Sequence, residues 1–207
     1  RSVTFSSSSD DPTVNNSRTS RTVTWAVTDA NSDAVGAQTS TGVTSTINVT
    51  AVNDAPVVTA GATVGYTEQA AAVVIDNTIT IADADDTQID SATVSITSPV
   101  SGDTLNFANQ SGITGSYNTA TGVLTLSGTA TKAQYETALR SVTFSNASSD
   151  DPTVNNTRTS RTVTWAVTDA NSDNVGAQTS TGVTSTINVT AVNDAPVVTA
   201  GATDRKS

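Results

Sequence analysis

The chain has 207 residues, with 19 acidic side chains against 9 basic ones and a net charge of −10. That balance argues against nucleic acid or an anionic membrane as partner. Cys, His and Met are absent, which excludes disulfides, thiol chemistry, His-based acid–base catalysis and the usual zinc ligand sets. No apolar run approaches the roughly 18 residues that cross a bilayer, so no membrane insertion is expected in this segment.

The first elements return later in the chain. Arg1-Ser-Val-Thr-Phe5 recurs as Arg140-Ser-Val-Thr-Phe144, and Asp10–Asn16 recurs as Asp150–Asn156. From Asp10 to Thr63 the two copies differ only at Ser17/Thr157 and Ala34/Asn174. Near-identity at a period of about 140 residues marks a tandem array. The expected organisation is the C-terminal half of a repeat over 1–52, a complete repeat over 53–192, and a linker with the start of a diverged unit or a chain end over 193–207. The leading half should bury too little alone to fold. Trp25 is expected to be partly exposed in the isolated chain, and covered by strands equivalent to Val57–Leu139 from a neighbouring repeat or another copy of the protein.

Within the complete repeat, alternation of β-branched and polar residues predicts strands at Thr78–Ala82, Ala92–Thr97, Gly122–Leu126, Arg161–Thr168 and Thr184–Thr190. Tyr117–Val123 reads as a hairpin loop. One helix is predicted over Lys132–Arg140, with Thr131 and Gln134 at capping-box spacing and Tyr135 and Leu139 on one face. The fold class is therefore all-β, an immunoglobulin-like antiparallel sandwich in tandem with one short helix per repeat. Trp165 shares strand parity with Val163 and Val167, which favours a core position over a sugar platform.

Most carboxylates fall in loops: Glu68, Asp83-Ala-Asp85-Asp86, Asp150-Asp151 and Asp169–Asp173, with Asn53-Asp54 and Asn193-Asp194 flanking the repeat. An up-and-down trace carries Asn53-Asp54, Asp83–Asp86 and Asp169–Asp173 to one end. It carries Glu68, Asp150-Asp151 and Asn193-Asp194 to the other. The same trace brings Asp10 and Asp11 of the first copy to the Asn53 end. So many carboxylates repel one another without a cation, and oxygen-only ligands in this number suit Ca²⁺. Asp10, Asp11, Asn53, Asp54, Glu68, Asp83, Asp85, Asp86, Asp150, Asp151, Asp169, Asp173, Asn193 and Asp194 are the candidate metal ligands. Solvated turn residues are the alternative, since Asp and Asn favour turns.

These residues resemble the cadherin-like repeats of large bacterial surface adhesins, over essentially the whole chain. Val52-Asn53-Asp54-Ala55-Pro56 is similar to the cadherin linker, and Glu68 to the acidic residue of the first strand. Asp83-Ala-Asp85 is similar to the Asp-x-Asp loop, and Asp10-Asp11 to the acidic loop two strands from the end. Ser101–Leu105, Gly122–Gly128 and Tyr135–Leu139 look like the bacterial version in particular. The resemblance implies a secreted, cell-surface stalk, stiffened by Ca²⁺ at its junctions. Ala51 and Ala55 stand where the linker usually carries Asp and Asn. That implies one or two ions per junction in place of the three of animal cadherins.

Three functions follow in order of fit. The first is a calcium-stiffened spacer of an extracellular adhesin or fibre, whose partners are neighbouring repeats and whose host or surface ligand lies elsewhere in the parent protein. The second is a glycan- or protein-binding adhesion module, which needs exposed aromatics that are scarce here. The third is a two-carboxylate carbohydrate enzyme. It is disfavoured, because the acids sit in polar loops and not in an apolar pocket.

Overall fold

The computed structural model describes residues 2–146, 150–195 and 198. Asp204–Ser207, where the repeat breaks off in sequence, lie outside the described residues. The first copy contributes one hairpin, β1 (Ser20–Trp25) with β2 (Val43–Asn48). The complete repeat follows as β3 (Val57–Thr59), β4 (Thr63–Thr67), β5 (Val73–Val74), β6 (Thr80–Ala82), β7 (Gln88–Ile96), β8 (Thr104–Asn106), β9 (Thr114–Asn118) and β10 (Val123–Thr131). Helix α1 (Lys132–Arg140), β11 (Thr143–Ser145), β12 (Ser160–Asp169) and β13 (Val183–Thr190) complete it.

One face of the sandwich is a six-stranded sheet in the order β4-β13-β12-β7-β10-β9. The other is built from β5-β11-β8 and from β3-β6. Strict alternation in β12 puts Val163, Trp165 and Val167 inside and Thr162, Thr164 and Thr168 outside. Trp165 is 0% exposed and donates Nε1–H to Ser185 Oγ at 3.0 Å. It is a core residue, and not a platform for sugar. Its counterpart Trp25 is 40% exposed, because β1–β2 has no facing layer among the described residues.

One pairing departs from the wholly antiparallel expectation: β4 runs parallel to β13. The first strand of the repeat changes sheets. Its opening piece, β3, pairs with β6, and its second piece, β4, crosses to the edge of the large sheet. The buried Asp76 carboxylate fixes the crossover. Its Oδ2 accepts from Gly61 N at 3.0 Å, Ala62 N at 2.9 Å and Ser185 Oγ at 2.8 Å. Burial pushes the Asp76 pKa up, but the Thr78 hydroxyl and the N–H groups of Gly61, Ala62 and Thr78 outweigh it and hold the group below the ordinary carboxylate range.

The helix spans the predicted residues. Thr131 accepts from Gln134 N, and Gln134 Oε1 accepts from Thr131 N at 2.9 Å, so two orphan donors of the first turn are satisfied. Tyr135, Ala138 and Leu139 pack into the core. The Tyr135 hydroxyl lies 2.9 Å from both Asp90 O and Gly128 O, which ties α1 to the β7–β10 pair. At Gly128, φ is +126° and a Cβ would lie 2.4 Å from Gly112 O, so only glycine fits beside this irregular step of β10.

Candidate metal centre

The strand directions bring three loops of the complete repeat to the end where it meets the first copy. The linker supplies Asn53 and Asp54, the segment after β6 supplies Asp83, Asp85 and Asp86, and the end of β12 supplies Asp169 with Asp173 beyond it. Asn53 Nδ2 donates to Asp169 Oδ2 and to Gly176 O, both at 2.9 Å. Gln178 Nε2 donates to Asn53 O at 2.6 Å. Asp54 N donates to Asp85 Oδ2 at 2.8 Å. Asp83 Oδ1 turns the acidic loop by accepting from Asp86 N at 2.9 Å and Asp85 N at 3.3 Å.

The first copy meets this cluster through the turn after Asp10-Asp11. Thr13 Oγ1 donates to Asp173 Oδ1 at 3.3 Å. Ser172 Oγ bonds Asp86 Oδ1 and lies 2.9 Å from Asn15 Oδ1. The turn is itself held by Asp11, whose carboxylate accepts from Thr13 N at 3.2 Å and Asn15 N at 2.9 Å. Val14, Asn15 and Asn16 all take left-handed φ values of 54°, 50° and 58°. A β-branched residue in that region is costly and persists only where surroundings enforce it. Asp10 is exposed.

The decisive feature is what the buried oxygens lack. Asn53 Oδ1, Asp83 Oδ2, Asp85 Oδ1 and Asp86 Oδ2 are buried without any hydrogen-bond partner. Asp85 and Asp86 are 5% and 2% exposed. Folded proteins pair nearly all such atoms, and each exception calls for a reason. Here four orphans, three of them on carboxylates, fall in one cluster. Electrostatics point the same way. Burial pushes the Asp83 pKa up to about 6, and the Asp85 charge adds to it. Burial also raises Asp86, with the charges of Asp169, Asp85 and Asp173 contributing. Asp173 is raised by burial and then by the Asp11 carboxylate of the first copy.

No family model matches the chain. An alignment 108 residues long is 39% identical to Halomucin from Haloquadratum walsbyi, and it covers 49% of this chain and 1% of that protein. Solved structures that align include protocadherin gamma B2 extracellular cadherin domains 3–6, at 18% identity and a TM-score of 0.37, covering 85% of this chain and 34% of that one. The protocadherin gammaB7 cis-dimer structure aligns at 18% identity and a TM-score of 0.38, covering 84% of this chain and 34% of that one. The strand layers themselves make the fold an all-β sandwich with one short helix.

The opposite end of the repeat carries the remaining candidates. Glu68, at the end of β4, accepts from Val192 N at 2.7 Å through Oε2, while its buried Oε1 has no partner. Gln69, Asp150, Asp151, Val192, Asn193 and Asp194 line an open depression beside it. Asp151 holds its own turn as Asp11 does, accepting from Thr153 N and Asn155 N. The repeat therefore presents at its far end the residue types that the first copy presents at the junction.

The donor set fits a hard divalent ion: carboxylate and amide oxygens only, on loops, with orphaned atoms. Among the described residues, no three acidic groups already stand in an ion-holding arrangement. The neutral residues that knit the junction, Thr13, Asn15, Ser172 and Gln178, were not legible as site residues. Ser172 and Thr13 do sit inside the acidic motifs, and that adjacency was the available signal.

The raised carboxyls set a pH dependence. A group whose folded pKa lies above its unfolded value stabilises fully below the unfolded value, and that stability is lost as pH rises through the folded one. For Asp83 the window runs from about 4, the unfolded carboxylate value, up to about 6. Asp76 acts oppositely but below that window, since its folded pKa is lowered. In chelator, the melting temperature should therefore rise on acidification from pH 7.5 to 5. If the site takes up Ca²⁺, the trend with the ion present should reverse, because protons compete with it. Parallel melts in the two conditions would refute this.

Proposed function

We propose that this chain is part of an extracellular spacer whose repeats are locked end to end by Ca²⁺ at their junctions. The repeats are taken to divide at 52/53 and 192/193. The observation that carries the reading is the set of four buried, unpartnered oxygens at the point where loops of two repeats meet. Asn53, Asp83, Asp85 and Asp86 would hold the ion, with Asp54, Asp169, Asp173 and Asp11 close by. The ion would neutralise like charges drawn from separate loops and from both repeats, and so convert repulsion into a joint. Glu68, Asp150, Asp151, Asn193 and Asp194 would serve the next junction. The raised Asp83 sits among acids and loop backbone, a setting for ion coordination and not for a general acid.

A hinge follows from removing the ion, since polar contacts between domains are weak on their own. X-ray scattering on a chain of several whole repeats should give a longer maximum dimension in Ca²⁺ than in chelator. Equal dimensions in the two would refute the spacer mechanism.

A further inference from the structure

We propose that Lys132 is a positioning residue for the Asp83–Asp86 loop, shaping it to meet the cation with side-chain carboxylates. The inference rests on the calcium reading above. Lys132 is the first residue of α1, directly after the N-cap Thr131. A cation there opposes the helix macrodipole, which favours acids in the first turn. The sequence nonetheless places Lys132 at that position and no acid in the turn.

The position has a use outside the helix. Lys132 Nζ lies 2.8 Å from Asp83 O and 2.8 Å from Asp86 O. One ammonium thus bridges the main-chain carbonyls at the two ends of the acidic loop. Lys132 N also reaches Thr87 O at 3.4 Å, so the helix start and the loop end are fastened together. With those carbonyls committed to Lys132, the loop offers the junction its side chains. Asp85 reaches Asp54 N, Asp86 reaches Ser172, and each keeps one buried orphan oxygen.

The sign of one substitution separates positioning from simple charge. Removing a positive charge beside a cation site should tighten calcium binding if Lys132 acted only by repulsion. If it positions the loop, the same change weakens binding. Losses of orienting partners behind metal ligands run to about 10–100-fold in affinity. The test is calorimetric titration of the full chain with calcium chloride. Lys132→Met should weaken the calcium Kd about tenfold or more, whereas Lys132→Arg, which keeps a donor for both carbonyls, should stay within about threefold of wild type. A melt in chelator checks that Lys132→Met folds. Lys132→Gln, which keeps part of the donor set, is the second variant and should fall between the two. Unchanged or tighter binding in Lys132→Met overturns the positioning role. No calcium uptake by the wild-type chain overturns the junction reading itself, a separate result.

Discussion

Calcium should raise the melting temperature of this chain by roughly 5–11 °C, and excess chelator should reverse the gain. Oxygen-rich loops of extracellular modules hold Ca²⁺ with Kd on the order of 10⁻⁴–10⁻³ M. An ion that binds only the folded state at about 100-fold excess adds roughly 2.7 kcal/mol. For chains of about 150–250 residues each kcal/mol shifts the midpoint by about 2–4 °C. Asp85→Asn should cut this response, because it removes a charge while keeping an acceptor for Asp54 N. In chelator the same variant should melt no lower than wild type, since one source of repulsion is gone. Asp90→Asn is the control. Asp90 bonds Thr129 at 2.8 Å on the sheet surface and takes no part in the cluster's bonds. Identical melts with calcium and with chelator would remove the metal from the account.

How much of this was legible in sequence depends on the range of the interaction. The helix was, because capping and i,i+4 pairing are local: Thr131, Gln134, Tyr135 and Leu139 lie within nine residues. Strands β12 and β13 were, almost end to end, because their alternation is long and regular; β7 and β10 were found over only about half their length, at Ala92–Ile96 and Val123–Leu126. Strands β5, β8 and β11 were not, since two or three residues carry no period. The parallel β4–β13 pair was hidden for another reason. It depends on the first strand changing sheets at Gly61-Ala62, and the anchor, Asp76, lies 14 and 15 residues away. The grouping of acids at the two ends followed from strand direction alone. The orphaned oxygens did not, because burial of a loop side chain depends on which other loops fold over it, here the Asn53-Asp54 linker and the loop at Ser172.

Arg161 shows a signal that was present in the sequence and went unused. It sits on the inward parity of β12 with Val163, Trp165 and Val167. An arginine on an apolar strand face requires a buried partner. That partner is Asp103, which in sequence reads as an ordinary turn residue after Gly102. Arg161 Nε lies 2.6 Å from Asp103 Oδ2 and Nη2 lies 3.3 Å from Oδ1, both side chains being fully buried. Asn146 Nδ2 and Val100 N add bonds to the same carboxylate at 2.9 Å and 2.7 Å. The rest of the guanidinium holds main chain, including Pro152 O at 2.6 Å, directly after Asp150-Asp151. In the first copy Arg21 reaches Pro12 O in the same way, directly after Asp10-Asp11. The clasp thus ties the core to the turn that each repeat presents to the next.

Breaking this pair should be strongly destabilising. Arg161→Met leaves Asp103 buried and uncompensated, which typically costs about 3–5 kcal/mol. At about 2–4 °C per kcal/mol, the midpoint should fall by roughly 6–20 °C, with calcium present or absent. Arg161→Lys should recover only part of the loss, because a point charge cannot make the paired contact with Asp103 and reach Pro152 O as well. Pairing Arg161→Met with Asp103→Leu should cost less than the sum of the two single changes, since no buried charge is then stranded. Chemical denaturation of the four variants, the three single changes and the double, measures all of these in chelator without the metal. A loss below about 1 kcal/mol for Arg161→Met, the range of an exposed ion pair, would show that the clasp does not hold the core and the acidic turn together.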